Sequence, residues 1–352
     1  MKEEEKIPKE NKPQKDNNKK LLVIFVAIMC VIAVGISGYG IAKQFLGKEE
    51  DKEEKEEKKD KQKEQITPLM YKVTKEGSDN VMYLFGSMHT VNFDDFDLPK
   101  YVMDAYKESD YLAVEVDINK YMEDEEKIQQ LAMDMMYMDG TTIKDHIDEE
   151  LYTKIINFLK EKKLYNQAYE SFKLYGIESL ITSQVTKDAG LNENDGIDTY
   201  LLDLAKKENK EILEVETFDF QMKLLFEAPD KYYEISILSS IDEYEKSVNS
   251  LKELYSAWKK GDVEALEKLT KGDEVTEEDI EKYKLTQEEM KEIETFSNAM
   301  LKDRNVGMKN KFNEYFNGNK KVFYMVGAAH LIGDDGLASL LEKEGYKVTR
   351  VN

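Results

Sequence analysis

A twelve-residue phrase used twice constrains this chain more than any other feature. The first copy, VMYLFGSMHTVN, runs from Val81 to Asn92, and the second, VFYMVGAAHLIG, from Val322 to Gly333. Aligned without a gap, they share an apolar run, then Gly86 or Gly327, two small or apolar residues, and His89 or His330. The chain has three histidines, so two of them occupy matching points of one phrase. Each phrase reads as a buried β-strand followed by a glycine that lets the backbone turn sharply. The histidine then stands just past the strand's carboxyl end, where α/β sheets present their ligands. Two parallel strands would put both imidazoles on one rim of one sheet and build a composite site.

The rest of the pattern predicts the sheet that such a rim needs. Met70–Thr74 and Val81–Phe85 read as a hairpin, and Tyr111–Val116, Glu211–Val215 and Tyr346–Val351 as further strands. Asp97 and Pro99 open a helix before the 111–116 strand, Gly196-Ile197-Asp198 opens one over 199–209, and 336–344 forms another. Strand–helix–strand order near both ends predicts an α/β fold with a mainly parallel central sheet flanked by helices. Residues 119–185 and 228–317 are helical by periodicity and supply a helical cap. The methionines between Met133 and Met138 are assigned to core packing. The charged stretch 259–294 reads as a peripheral helical insert.

Residues 1–64 do not belong to that core. Residues 1–20 form a polar tail, and Leu21–Ala42 is about 22 residues without a charge, long enough to span a bilayer as a helix. Residues 43–64 form a charged spacer, and the globular domain runs over 65–352. A cleaved signal peptide is the competing reading, but the apolar run is long for one and Gly-Ile-Ala at 40–42 is a poor cleavage signal. Met29 before Cys30 argues against lipidation. Lys15, Lys19 and Lys20 favour a cytoplasmic amino side, which puts the domain outside the cell. Cys30 is the only cysteine, so the domain has neither a disulfide nor thiol chemistry. The chain carries a net charge of −22, and nearly all of it falls on the domain, which makes nucleic acid a poor partner.

Four polar residues fall at or just past strand ends: His89, Glu115, Glu216 and His330. Two histidines with one or two carboxylates suffice for a divalent metal with an open position for water. The same set also suits metal-free chemistry, with a histidine as general base oriented by a glutamate. The residues leave both open. Arg304, followed by Asn305, lies in a long amphipathic helix before the second phrase. It is one of two arginines among 51 basic residues, which points to a need for the guanidinium fork. It either grips a substrate carboxylate or oxyanion, or pairs with one of the chain's many acids. His146 reads as a surface residue and Asp198 as a helix N-cap. Phosphate loops, dinucleotide fingerprints, His-Glu-x-x-His helices and Gly-x-Ser-x-Gly elbows are absent from the sequence.

The paired G-x-x-H phrases, Ala113-Val114-Glu115-Val116-Asp117, Gly196-Ile197-Asp198, Glu216-Thr217 with Gln221, Arg304-Asn305 and Gly327-Ala328-Ala329-His330-Leu331 with Gly333 and Gly336 resemble the TraB/PrgY/GumN family. That family includes the animal Tiki proteins, and the similarity covers roughly Thr67 to Asn352. The resemblance implies a fold related to the erythromycin-esterase and ChaN-like group. For Tiki-like members it also implies metal-dependent peptide-bond hydrolysis at a membrane surface. Carried over by motif, His89 and His330 become ligands of a divalent ion such as zinc, manganese or cobalt, with Glu115 as a further ligand. Glu115 and Glu216 become the associated catalytic carboxylates, and Arg304 and Asn305 complete the site. The substrate is then a peptide or exposed polypeptide segment. The alternatives are a surface protein that sequesters a peptide signal without cutting it, and a metal-free, histidine-based esterase-like hydrolase. The single N-terminal anchor and the 259–294 insert are departures from the family pattern.

Overall fold

A computed structural model describes residues 63–192, 195–271 and 276–352. The expected tail, the anchor at 21–42 and most of the spacer lie outside the described residues. Among the described residues no helix is long and apolar enough to cross a membrane. Lys63 and Glu64, counted with the spacer, are tied to the domain: Lys63 Nζ lies 2.6 Å from Asp97, and the Glu64 N–H donates to the Asp95 carbonyl at 2.6 Å.

Among the described residues six strands form one sheet: β1 (Met70–Lys75), β2 (Met82–Ser87), β3 (Tyr111–Val114), β4 (Glu211–Glu214), β5 (Val322–Gly327) and β6 (Tyr346–Arg350), in the order β4-β3-β5-β2-β1-β6. Strands β4, β3, β5 and β2 are mutually parallel, while β1 pairs antiparallel with both β2 and β6. The mainly parallel sheet is therefore present, with an antiparallel edge where the hairpin and the last strand meet. All six residues of β5 are buried, as a central strand covered on both faces requires.

Helices alternate with these strands. They are α1 (Lys100–Glu108), α2 (Ile118–Met122), α3 (Glu125–Asp134), α4 (Glu149–Glu161), α5 (Leu174–Asp188), α6 (Ile197–Glu208) and α7 (Phe218–Phe226). Then follow α8 (Asp230–Asp242), α9 (Tyr244–Lys260), α10 (Val263–Lys271), α11 (Glu277–Lys282), α12 (Gln287–Asn298), α13 (Arg304–Asn317) and α14 (Leu337–Lys343). Two cores result. The first joins the sheet to α1, α6, α9, α13 and α14, with Trp258, Phe312 and Tyr324 among its buried side chains. The second is helical, built from α3, α4, α5, α7, α8 and α12. Of the methionines assigned to packing, Met135 is buried, but Met133, off the Ile128, Leu131 and Ala132 face of α3, and Met138, past the helix end, are exposed.

The helical core buries one carboxyl. Glu178 on α5 accepts hydrogen bonds from Thr182 and Ser236 on Oε1, and its Oε2 has no partner. Burial pushes its pKa from 4.5 up to about 7, against the pull of the two hydroxyls. A folded-state value above the unfolded one means that the folded state binds the proton more tightly. Stability is therefore greatest below the unfolded pKa and falls as pH rises from about 4.5 to 7, by about 3 kcal/mol in all. Glu178→Gln should raise the unfolding free energy measured by denaturant at pH 8 and leave it nearly unchanged at pH 4. An equal effect at both pH values would show that the carboxyl is not titrating in the core.

Candidate active site

The two histidine phrases lie side by side. Strand β2 pairs parallel with β5, with Gly86 opposite Val326 and Ser87 opposite Gly327, so both chains leave the sheet at the same rim. Space decides the glycine at position 86. A side chain there would meet Ala328 Cα at 3.0 Å and Leu331 Cδ1 at 3.1 Å, so the turns pack this closely only without one. The 196–198 segment closes on the first turn through Ile197 N–H to Met88 O at 3.1 Å and Val91 N–H to Asp195 O at 2.8 Å. A Cβ at Gly196 would lie 2.7 Å from the His89 carbonyl, so glycine is needed for that approach too.

Glu115 and Glu216 follow the neighbouring parallel strands β3 and β4, and Glu216 N–H donates to Glu115 O at 2.9 Å. Arg304 reaches them from the first turn of α13, directly after a π-helical turn at Ala299–Asp303. Its Nε and Nη2 donate to Glu216 at 2.9 and 2.7 Å, its Nη2 to Glu115 Oε2 at 2.6 Å, and its Nη1 to Met300 O at 3.3 Å. Gln221 on α7 donates to both carboxylates, at 3.2 Å to Glu115 and 2.8 Å to Glu216. The second Glu115 oxygen, Oε1, accepts Gly327 N–H at 2.7 Å. Burial favours the neutral Glu115 acid, but the Arg304 guanidinium, helped by His89 and Gly327 N–H, prevails and holds it well below the usual carboxylate range.

This arrangement bears on two of the expected site roles. Arg304 is 2% exposed and spends its fork on the two glutamates, so it orients Glu115 rather than reaching for a substrate oxyanion. Glu216 accepts Arg304 on both oxygens and Gln221 on Oε2, so the bridge ties it to Glu115.

The two histidines are held by unlike partners. His330 Nδ1 lies 2.6 Å from Asn305 Oδ1, while Asn305 Nδ2 donates to Asp335 O at 2.8 Å. The amide can face the imidazole only with its oxygen, so Nδ1 carries the proton and Nε2 the lone pair. Burial and the Arg304 charge push the His330 pKa down to about 3, against Glu115, and keep the ring neutral. His89 Nδ1 makes an ion-pair contact of 2.8 Å with Asp198, whose other oxygen accepts Ser87 Oγ–H at 2.8 Å. Burial works against a charge on His89, but Asp198 outweighs it and the pKa rises. Asp198 is not the N-cap the sequence suggests: Gly196 caps α6, and the carboxylate two residues on, in the first turn, faces His89. Its position in Gly-Ile-Asp was the signal for it.

Both Nε2 atoms are buried without a partner. His330 Nε2 stands 3.8 Å from Glu115 Oε1, too far for a hydrogen bond and near the ~3.4 Å between two tetrahedral zinc ligands. Among the described residues no three His, Cys, Asp or Glu side chains close into a ready metal shell. In kind the donors fit a divalent ion: two bare imidazole nitrogens with their Nδ1 atoms fixed by partners, beside a carboxylate oxygen. Glu115 and Glu216 together carry one more formal charge than Arg304 neutralises, which also favours a cation. His146 lies apart, exposed and stacked on Tyr137 in the helical cap. The 259–294 insert is not wholly peripheral: Leu266 and Thr270 of α10 border a cavity with Ser87, Met88, His89, Ala328 and Ala329.

A sequence profile of the TraB/PrgY/gumN family matches residues 69–350, a span that takes in every strand and each residue of this rim. The chain belongs to the TraB/PrgY/gumN family. Among curated relatives, the uncharacterized protein YbaP of Escherichia coli (strain K12) is 22% identical over 179 residues. YbaP of Shigella flexneri matches to the same extent. The aligned part is 50% of this chain and 63% of either relative. No solved structure matches.

For this TraB/PrgY/gumN member, the buried bridge makes Arg304→Lys informative. Lysine keeps the charge but cannot serve both glutamates from one planar fork, and a hydrogen bond to a charged group is worth about 1.5–3 kcal/mol. The variant should lose at least about 2 kcal/mol of stability in denaturant unfolding, along with any activity. An unchanged stability with lost activity would instead place Arg304 on the substrate.

Proposed function

We propose that this protein is a membrane-anchored hydrolase that cleaves a peptide or an exposed polypeptide segment outside the cell, using a divalent metal ion. The observation that carries this reading is the pair of buried, unpartnered Nε2 atoms of His89 and His330 beside the anionic Glu115. His89, His330 and Glu115 Oε1 would hold the ion, which when bound supplies Lewis acidity to a scissile carbonyl and to water. Asn305 and Asp198 fix the two imidazoles, and Arg304 with Gln221 keeps Glu115 ionised and aimed at His330. Glu115 Oε1 meets only Gly327 N–H among these hydrogen-bond partners, so it retains a lone pair for a ligand or for a proton from water. Burial of the rim excludes bulk water and strengthens these electrostatic interactions. The anchor and orientation rest on Leu21–Ala42 and the lysines before it.

One observation favours a metal-free variant of the same hydrolysis. The environments of the two imidazoles push their pKa values apart, His89 up and His330 down. Such a split suits an acid and a base acting together.

The test adds a peptide library to intact cells expressing the full chain and follows cleavage by mass spectrometry, with and without a chelator. Cleavage should occur without lysis and stop on chelation. His89→Ala and His330→Ala should each abolish it, while His146→Ala retains it. Cleavage that survives chelation but not the histidine substitutions would support the metal-free variant. Peptide binding without cleavage would support sequestration, and cleavage only after lysis would reverse the orientation.

A further inference from the structure

We propose that the small cavity beside His89 is a substrate side-chain subsite that admits a methyl-sized apolar group and rejects larger ones. The proposal rests on the hydrolase reading and adds a substrate class to it. The cavity is about 20 Å³ and abuts both histidine turns. Its origin is legible in the two phrases. Where the first has Ser87 and Met88, the second has Ala328 and Ala329, so two side chains stop at Cβ and leave space on the rim.

The walls explain both the size and the chemistry. On one side stands Trp258, whose Nε1–H donates to Gly86 O at 2.9 Å and whose ring stacks on Tyr255. That bond fixes the ring, so the wall cannot retreat easily. On the other side stands α10, the first helix of the charged insert, with Leu266 2% exposed. The hydroxyls in the lining are already committed: Ser87 donates to Asp198 at 2.8 Å and Thr270 to Leu266 O at 2.8 Å. A polar side chain would lose its water and find few partners there, at a cost an apolar one avoids. A cavity of roughly 10–15 Å³ holds one water, so the space suits one methyl group and not a branched or aromatic side chain. A group seated there lies against His89 and brings its flanking peptide bond towards the two imidazoles. The insert thereby becomes a specificity element.

The experiment uses the full-length protein in detergent and has two arms. In the first, peptides differing only in Ala, Val, Leu or Phe at one position are cleaved by wild type and by Leu266→Ala. Wild type should prefer alanine to leucine by about tenfold or more, the scale on which a hydrophobic pocket separates methylenes. Leu266→Ala should bring that ratio towards one while still cleaving the alanine peptide. In the second arm, N-acetyl-alanine methylamide and its leucine analogue are titrated while the His89 ring signals are followed by NMR, a spectrum with three histidines. The alanine compound alone should shift His89 in wild type, and both compounds should in Leu266→Ala. Cleavage without a size preference overturns the subsite and leaves the hydrolase reading intact. Alanine-selective binding without cleavage keeps the subsite and overturns the hydrolase. Failure of the alanine compound to shift His89 in wild type overturns the subsite whatever the cleavage result.

Discussion

The rim depends on one buried ion bridge. Arg304 joins Glu115 and Glu216 from the ends of two neighbouring strands, and the cluster lies almost entirely out of water. Burying such charges costs several kcal/mol per ion, and removing one partner typically costs about 3–5 kcal/mol. A bridge that costly to build makes little sense as stability alone, since apolar side chains would serve as well. It does fix one carboxylate, still ionised, beside His330 and under the amide of Gly327. It also couples α13 to the sheet, so Asn305 reaches His330 from the same helical turn that holds Arg304.

The two histidines show how one phrase used twice can supply two different groups. Their backbones leave adjacent parallel strands in the same direction, but a carboxylate orients one ring and an amide the other. A carboxylate favours positive charge on His89, while an amide oxygen fixes the His330 tautomer without adding charge. The unlike environments follow from chain neighbours: the 196–198 segment closes on the first turn, and α13 packs behind the second.

Much of this was legible in the sequence, because strand, turn and histidine recur in one short pattern that local propensity and periodicity can read. The hairpin, the parallel pairing of the histidine strands and the positions of Glu115 and Glu216 at strand ends all follow from that kind of signal. Partnership was not legible. Whether Arg304 faces a substrate or the two glutamates depends on β3 and β4 being neighbours, which no local pattern encodes. Asp198 reads as an N-cap because N-caps and histidine partners draw on the same residue types, and only the hydrogen bonds between residues 88–91 and 195–197 bring it against His89. The α10 helix was hidden by its charge. Glu264, Glu267, Lys268 and Lys271 dominate its sequence, while the side that meets the rim is a short stripe around Leu266 and Thr270.

The central claim is that the scaffold holds bare imidazole nitrogens towards the rim, and His330 states it most sharply. Nitrogen-15 NMR of the metal-free, histidine-labelled full chain reads it directly, with His330→Gln used to assign the signal among three histidines. The account predicts a neutral ring with its proton on Nδ1 and none on Nε2, unchanged from about pH 8 down to about pH 4, since its pKa is pushed down to about 3. A proton on Nε2, or an ordinary titration near about 6.5, would contradict it.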